Sequence, residues 1–191
     1  MLQLQQVRYT YPGWPPVVDG VDWAMAQGEI HCLVGRSGCG KTTVGQALAH
    51  HLGCEFAEGD QFHPPENVAK MAAGTPLTDD DRWGWLRTLS ARMAQARTAG
   101  QSLVLSCSAL RKPYRDILRE GAPQAWFVHL HGDIALLQQR MASRPGHYMP
   151  PSLLQSQLDT LEMPDADERV VSLDIVTPLP EMVSRVMSSV R

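Results

Sequence analysis

Apolar positions fall into short runs whose period changes along the chain. Glu29 to Val34 reads as a strand ending at a glycine. Lys41 to Leu52 reads as a helix, with Val44, Leu48 and Leu52 at four-residue spacing. Glu55 to Ala57 reads as a short strand. Thr78 opens a helix through a capping box, with Asp79, Asp80 and Asp81 in its first turn, and Gly100 stops it after Ala99. Ser102 to Cys107 is a continuous apolar strand, Lys112 to Glu120 a short helix broken at Gly121, and Ala125 to Leu130 another strand. Ile134 to Ser143 is a helix stopped by Arg144-Pro145-Gly146. Pro151 to Leu161 is helical again, Val170 to Ile175 is a last strand, and Leu179 to Val190 a last helix.

Strands without internal alternation, spaced by helices, predict the α/β class: a parallel sheet covered on both faces. Ligands of such sheets gather at the carboxyl ends of the strands. Ahead of this body, polar and apolar residues alternate over 2–9 and 18–25, on either side of Pro12 to Pro16. That pattern predicts a two-stranded hairpin. The predicted division is a hairpin extension over 1–28 and one main domain over 29–191.

Composition narrows the picture. With 191 residues, 43% hydrophobic and 19% charged, the chain suits one compact domain with a core. Seventeen basic against 20 acidic residues give a net charge of −3, which argues against nucleic acid as a partner. No apolar run approaches the roughly 20 residues of a membrane span. The first residues lack the basic and apolar regions of a signal peptide, so a cytoplasmic location is expected. Cys32, Cys39, Cys54 and Cys107 form no CxxC pair, so reduced thiols are expected rather than a zinc site.

Gly35-Arg36-Ser37-Gly38-Cys39-Gly40-Lys41-Thr42 fits GxxxxGK[ST] between a strand and a helix, the context this phosphate-binding pattern requires. Backbone amides from Gly35, Ser37, Gly38, Cys39 and Gly40 would surround phosphate oxygens, and the helix start at Lys41, Thr42 and Thr43 would add its positive end. Lys41 is placed to reach the β- and γ-phosphates and Thr42 to ligate Mg²⁺, so ATP and Mg²⁺ are expected. Cys39, beside a helix start and Lys41, reads either as a reactive thiol whose oxidation blocks ATP or as a buried inert one.

Past the second strand of the body stand Glu58-Gly59-Asp60, His63-Pro64, Asn67 and Lys70-Met71. Then come Pro76-Leu77, Asp79, Asp81-Arg82 and Trp85-Leu86, followed by Cys107-Ser108-Ala109-Leu110 with Tyr114-Arg115-Asp116. Gly146-His147, Leu153-Leu154, Ser156-Gln157, Thr160-Leu161-Glu162 and Asp167-Glu168 close the series. From about residue 35 onward this series resembles the gluconate kinases, a family of small-molecule P-loop kinases. The resemblance implies a three-layer P-loop kinase fold with a mostly parallel five-stranded sheet and a lid at about 138–152. It also implies transfer of the γ-phosphoryl of ATP to the 6-hydroxyl of D-gluconate.

Within that frame Asp60 reads as the base or hydroxyl-orienting residue and a Mg²⁺ neighbour, or as the cap of a turn. Glu58 stands where the family has the first Asp of Asp-Gly-Asp. His63, Lys70, Arg82, Ser108, Lys112, Arg115 and His147 are the candidates for an anionic polyol. Lys70 also reads as a solvated helix charge, and Arg82 as a partner of the three carboxylates before it. Arg140 and Arg144, four apart on one helical face, fit a lid that closes over ATP with Pro145-Gly146 as hinge. Trp83, Trp85, Trp126 and Tyr114 read as packing.

The front end follows another pattern. Residues 1–34, with Gln27-Gly28-Glu29 leading to the loop, resemble the N-terminal hairpin and phosphate loop of ABC transporter ATPases, giving the look of a chimera. That resemblance implies an aromatic, here Tyr11, stacked on adenine; the alternative is Tyr11 simply packed or exposed beside the sheet. Exposed hairpin edges, with Trp14 and Trp23, would also suit a homodimer. Two competing readings remain: a nucleotide-binding chimera with little or no transfer, and a related kinase such as one for shikimate.

Overall fold

The computed structural model describes residues 2–9, 18–25, 28–142, 157–158, 160–165 and 167–190, with backbone alone for the first two stretches. β1 (Leu2–Tyr9) and β2 (Val18–Met25) pair antiparallel, Leu2 opposite Met25 and Tyr9 opposite Val18. They form the expected hairpin as a two-stranded sheet of its own. Tyr11 and Trp14 lie outside the described residues.

The body is built on β3 (Ile30–Val34), β4 (Glu55–Glu58), β5 (Leu103–Ser106), β6 (Trp126–His131) and β7 (Val170–Asp174). All pairs are parallel, in the order β4-β5-β3-β6-β7. Because β3 is central, the loop that follows it emerges at the middle of the carboxyl edge. Helices α1 (Lys41–Leu52), α2 (Pro65–Ala72), α3 (Asp79–Thr98), α4 (Lys112–Gly121), α5 (Ile134–Ala142) and α6 (Leu179–Ser189) complete the described elements. The sheet divides the core. Leu33, Val128, Leu130 and Leu173 pack with Val44 and Leu48 of α1 and Val186 of α6. Cys32, Val34, Leu105 and Phe127 pack with Leu86, Leu89 and Met93 of α3 and Leu118 of α4. The described part of the stretch 151–161 is helical at 157–158 and 160.

Two elements depart from the sequence expectation. α2 has no run of apolar residues to announce it; only Asn67 and Met71 are buried, and Asn67 Nδ2 donates to Asp81 O at 2.7 Å, docking α2 on α3. Thr78 does cap α3 as expected, its hydroxyl accepting from Asp81 N while the Asp81 carboxylate accepts from Thr78 N. The second departure is Arg115, which the sequence suggested as a substrate contact. Its side chain is 1% exposed and grips Glu168, itself 0% exposed, through Nε at 2.7 Å and Nη2 at 2.9 Å. Arg115 Nη1 also donates to Ala109 O and Glu162 O, and Arg119 reaches Glu168 at 3.2 Å. With four of its five N–H donors so committed and its side chain buried, this guanidinium is not placed to meet a ligand; it holds α4 against the segment that leads into β7.

Burial alone would push Glu168 up. The hydrogen bonds from Arg115 and the Asp165 amide, with the Arg115 and Arg119 charges, outweigh it and hold the carboxyl at about 2. The folded value lies below the unfolded one, so this stability is present above the ordinary Glu range and is lost as pH falls toward 2. Arg115→Met strands a buried carboxylate and should cost about 3–5 kcal/mol. Thermal melts at pH 7 and pH 3 check this: the deficit of the variant should shrink at the lower pH.

Candidate active site

The loop between β3 and α1 can curl tightly only because Gly35 stands at its root. Its φ is 141°, and a Cβ there would lie 2.4 Å from Leu130 O. Gly35 N donates to Ser108 O at 3.3 Å, tying the loop to the chain leaving β5. No side chain caps α1 and no acidic residue lies in its first turn, so its leading amides are left for an anion. Lys41 Nζ donates to Gly35 O at 2.9 Å and Arg36 O at 3.1 Å, which keeps the ammonium over the loop. Cys39 is 2% exposed and packs in the α1-side core. The inert reading of this thiol therefore holds for the folded chain.

Next to the loop stand two carboxylates with different surroundings. Thr42 Oγ1 donates to Glu58 Oε2 at 2.6 Å, and the Ser106 hydroxyl donates to the other Glu58 oxygen. Glu58 is therefore the carboxylate on the Thr42 hydroxyl. Asp60 sits in a 3₁₀ turn (Gly59–Phe62) and lines a cleft with Ser37, Lys41, His63, Arg82 and Ser108. The turn can lie this close to β5 because Gly59 has no side chain: a Cβ would meet Ser106 O at 2.1 Å.

Trp85 organises the far wall. Its Nε1 donates to Gly59 O at 2.8 Å, and its ring stacks on His63 with centroids 4.0 Å apart. The sequence reads Trp85 as packing; it is buried, stacks on the cleft residue His63, and holds the backbone next to Asp60. Burial and the Arg82 charge lower the His63 pKa, against the opposing pull of Asp60. His63 Nδ1 is buried without a hydrogen-bond partner. Arg82 lines the same cleft, and its Nη1 donates to Leu77 O at 2.5 Å. Two of the three carboxylates before it are engaged elsewhere: Asp79 by Arg111 and the Tyr114 hydroxyl, Asp81 by Lys70. Among the described residues Arg82 makes no ion pair.

Ser108 lines the cleft as expected. Lys70 does not; it pairs with Asp81 at 2.6 Å on the surface. Lys112 Nζ lies 3.4 Å from Asp116 and also misses the cleft. Arg140, at the end of α5, donates to Ile175 O at 3.2 Å. Arg144, His147, Tyr11 and lid residues 143–152 lie outside the described residues. Gln157, which the family series includes without a role, joins the site: it accepts from Ser37 N at 2.8 Å and donates to Ser37 Oγ at 3.0 Å. It lines the cleft with Thr160, and the family series that holds both residues was the available signal.

A cleft that joins an anion loop to polar acceptor groups is the arrangement of a small-molecule kinase. The family model for shikimate kinase matches residues 37–169. The thermoresistant gluconokinase of Escherichia coli is 43% identical, over 85% of this chain and 94% of its own length. The gluconokinase of Gluconobacter oxydans is 48% identical, over 73% and 78%. The crystal structure of a gluconokinase from Sinorhizobium meliloti superposes with a TM-score of 0.77 at 47% identity, covering 87% of this chain and 93% of that one. The chain belongs to the gluconokinase family. The gluconokinase fold accounts for the five parallel strands and for the placing of Asp60, His63, Arg82 and Ser108 around one cleft. His63 gives a direct check on that cleft. Its imidazolium should lose its proton below the ordinary histidine value of about 6.5, so the ring is neutral at pH 7. Histidine NMR through a pH titration reads this, and a midpoint at or above 6.5 contradicts it.

Proposed function

We propose that the protein transfers the γ-phosphoryl group of ATP to the 6-hydroxyl of D-gluconate, giving 6-phospho-D-gluconate. The observation that carries this reading is the cleft itself. It brings Lys41 and Ser37 of the anion loop together with Asp60, His63 and Arg82, which makes no ion pair among the described residues, in a chain 43–48% identical to proteins named gluconokinase. A guanidinium in the cleft suits a carboxylate substrate. A neutral, unpartnered imidazole nitrogen suits a hydroxyl.

In this reading the loop amides and Lys41 hold the triphosphate, and Lys41 trades its two backbone carbonyl contacts for phosphate oxygens. Arg82 and Ser108 fix the sugar acid, and His63 orients a hydroxyl. Asp60 accepts the hydroxyl proton or aims the oxygen in line with the γ-phosphorus. Arg140, with Arg144 and His147, belongs to the proposed lid. Hard oxygen donors meet at Thr42 and Glu58, 2.6 Å apart, which fits Mg²⁺ held by one hydroxyl and one carboxylate with water and phosphate. When bound, Mg²⁺ neutralises charge on the transferring phosphates. Glu58 and Thr42 orient it, and Ser106 fixes the Glu58 carboxylate.

Shikimate is the second acceptor to consider, since a shikimate kinase family model matches the chain. An assay coupled to ADP release separates the two. Turnover that depends on D-gluconate and not on shikimate is the expected result; the reverse overturns the reading. Asp60→Asn should lower kcat by roughly 10²–10⁴-fold while ATP affinity stays within about threefold; equal loss of both would remove Asp60 from the transfer step.

The ABC-like front end is part of the proposal as an appendage, not as a transport module. Tyr11 stacking on adenine would add to the grip on ATP. Deleting residues 1–26 should then weaken an ATP analogue several-fold in calorimetry without abolishing gluconate turnover. Unchanged affinity would leave the hairpin with no part in nucleotide binding.

A further inference from the structure

Strand alternation along β6 sends Val128 and Leu130 into the α1-side core and turns His129 and His131 to the opposite face. The two histidines line a second cavity of about 220 Å³ with Arg36, Leu130, Gly132, Leu137, Leu161 and Met163. It shares no lining residue with the acceptor cleft, although neighbouring loop residues open on the two: Ser37 on the cleft, Arg36 on the cavity.

The cavity holds a guanidinium nitrogen and a ring nitrogen that lack partners among the described residues. Among the described residues no carboxylate pairs with Arg36, and its Nε is buried without a hydrogen-bond partner. His129 is 1% exposed, and its Nε2 is likewise unpartnered. Its Nδ1 lies 3.5 Å from Ser172 Oγ. With that hydroxyl donating to Nδ1, the ring proton sits on Nε2, which becomes a donor. Burial, His131, Arg115 and Arg36 lower the His129 pKa to about 4, so at neutral pH the ring is uncharged and Arg36 is the fixed cation. A guanidinium N–H left unmet, next to a ring nitrogen that can carry a proton, is matched by an oxyanion.

We propose that this cavity is a second anion site, taking the phosphate group of inorganic phosphate or of a small phosphomonoester, with Arg36 as the charge and His129 Nε2 as a hydrogen-bond donor. The site is tied to the nucleotide loop through Arg36 itself, whose backbone carbonyl accepts from Lys41 Nζ at 3.1 Å. An occupant would therefore act on the triphosphate cradle from outside it.

Calorimetric titration of the full chain with inorganic phosphate tests this, with Mg²⁺ and a non-hydrolysable ATP analogue kept saturating so that the cradle is closed to phosphate. One phosphate per chain should bind. Arg36→Gln should weaken it at least tenfold, while Arg82→Gln, in the acceptor cleft, changes it less than twofold. His129→Phe fills the cavity and should also abolish binding; melting curves establish that each variant is folded, and Arg36→Gln, on the half-buried loop, carries the test if His129→Phe is not. Glycerol 3-phosphate competing for the site identifies a phosphomonoester ligand; phosphate bound without such competition identifies the free ion. Phosphate binding that disappears with the analogue present, or that follows Arg82 instead of Arg36, overturns the proposal.

Discussion

β3 runs parallel between β5 and β6, and the chemistry of the molecule hangs on that pairing. Parallel strands aim their carboxyl ends at one edge, so the residues after β3, β4, β5 and β6 meet there although they are far apart in sequence. The contact is tight enough to dictate composition. Gly35 has no room for a Cβ against Leu130 O, nor Gly59 against Ser106 O. Both contacts link neighbouring strand ends, and both set the depth at which a ligand is met.

Around that edge the polar groups are sorted by partner, not by charge. Glu58 is held between two hydroxyls, while Asp60, two residues on, faces the cleft. Asp79 and Asp81 are consumed by Arg111, Tyr114 and Lys70, which leaves Arg82 without an ion pair among the described residues. Arg115 is spent on Glu168 beneath the site. The helices are thus pinned by charge pairs, while Asp60 and Arg82, with no ion pair among the described residues, line the cleft.

This sorting decides what the sequence could show. The parallel sheet, the hairpin, the capped start of α3 and the anion loop were legible, because each is written in local period or in a contiguous motif. Asp60, His63, Arg82 and Ser108 were legible as a set through the family pattern. Arg115 was not, because its partner lies 53 residues away and no spacing announces it. Nor could the spacing of Glu58 and Asp60 say which one turns toward Thr42; that depends on the 3₁₀ turn and on Ser106. α2 escaped because it is eight residues long and buries only Asn67 and Met71. Gln157 meets Ser37 across 120 positions of chain, a distance at which only the fold can bring two residues together.

Cys39 closes the account in a different currency. A thiol only 2% exposed inside the loop that grips the nucleotide reacts with a bulky maleimide only when the loop opens. Its labelling rate therefore measures how often the folded chain exposes that loop, in the way that amide exchange measures local opening. The residue that looked like a redox liability is a reporter already in place, silent at rest and sensitive to anything that holds the loop shut.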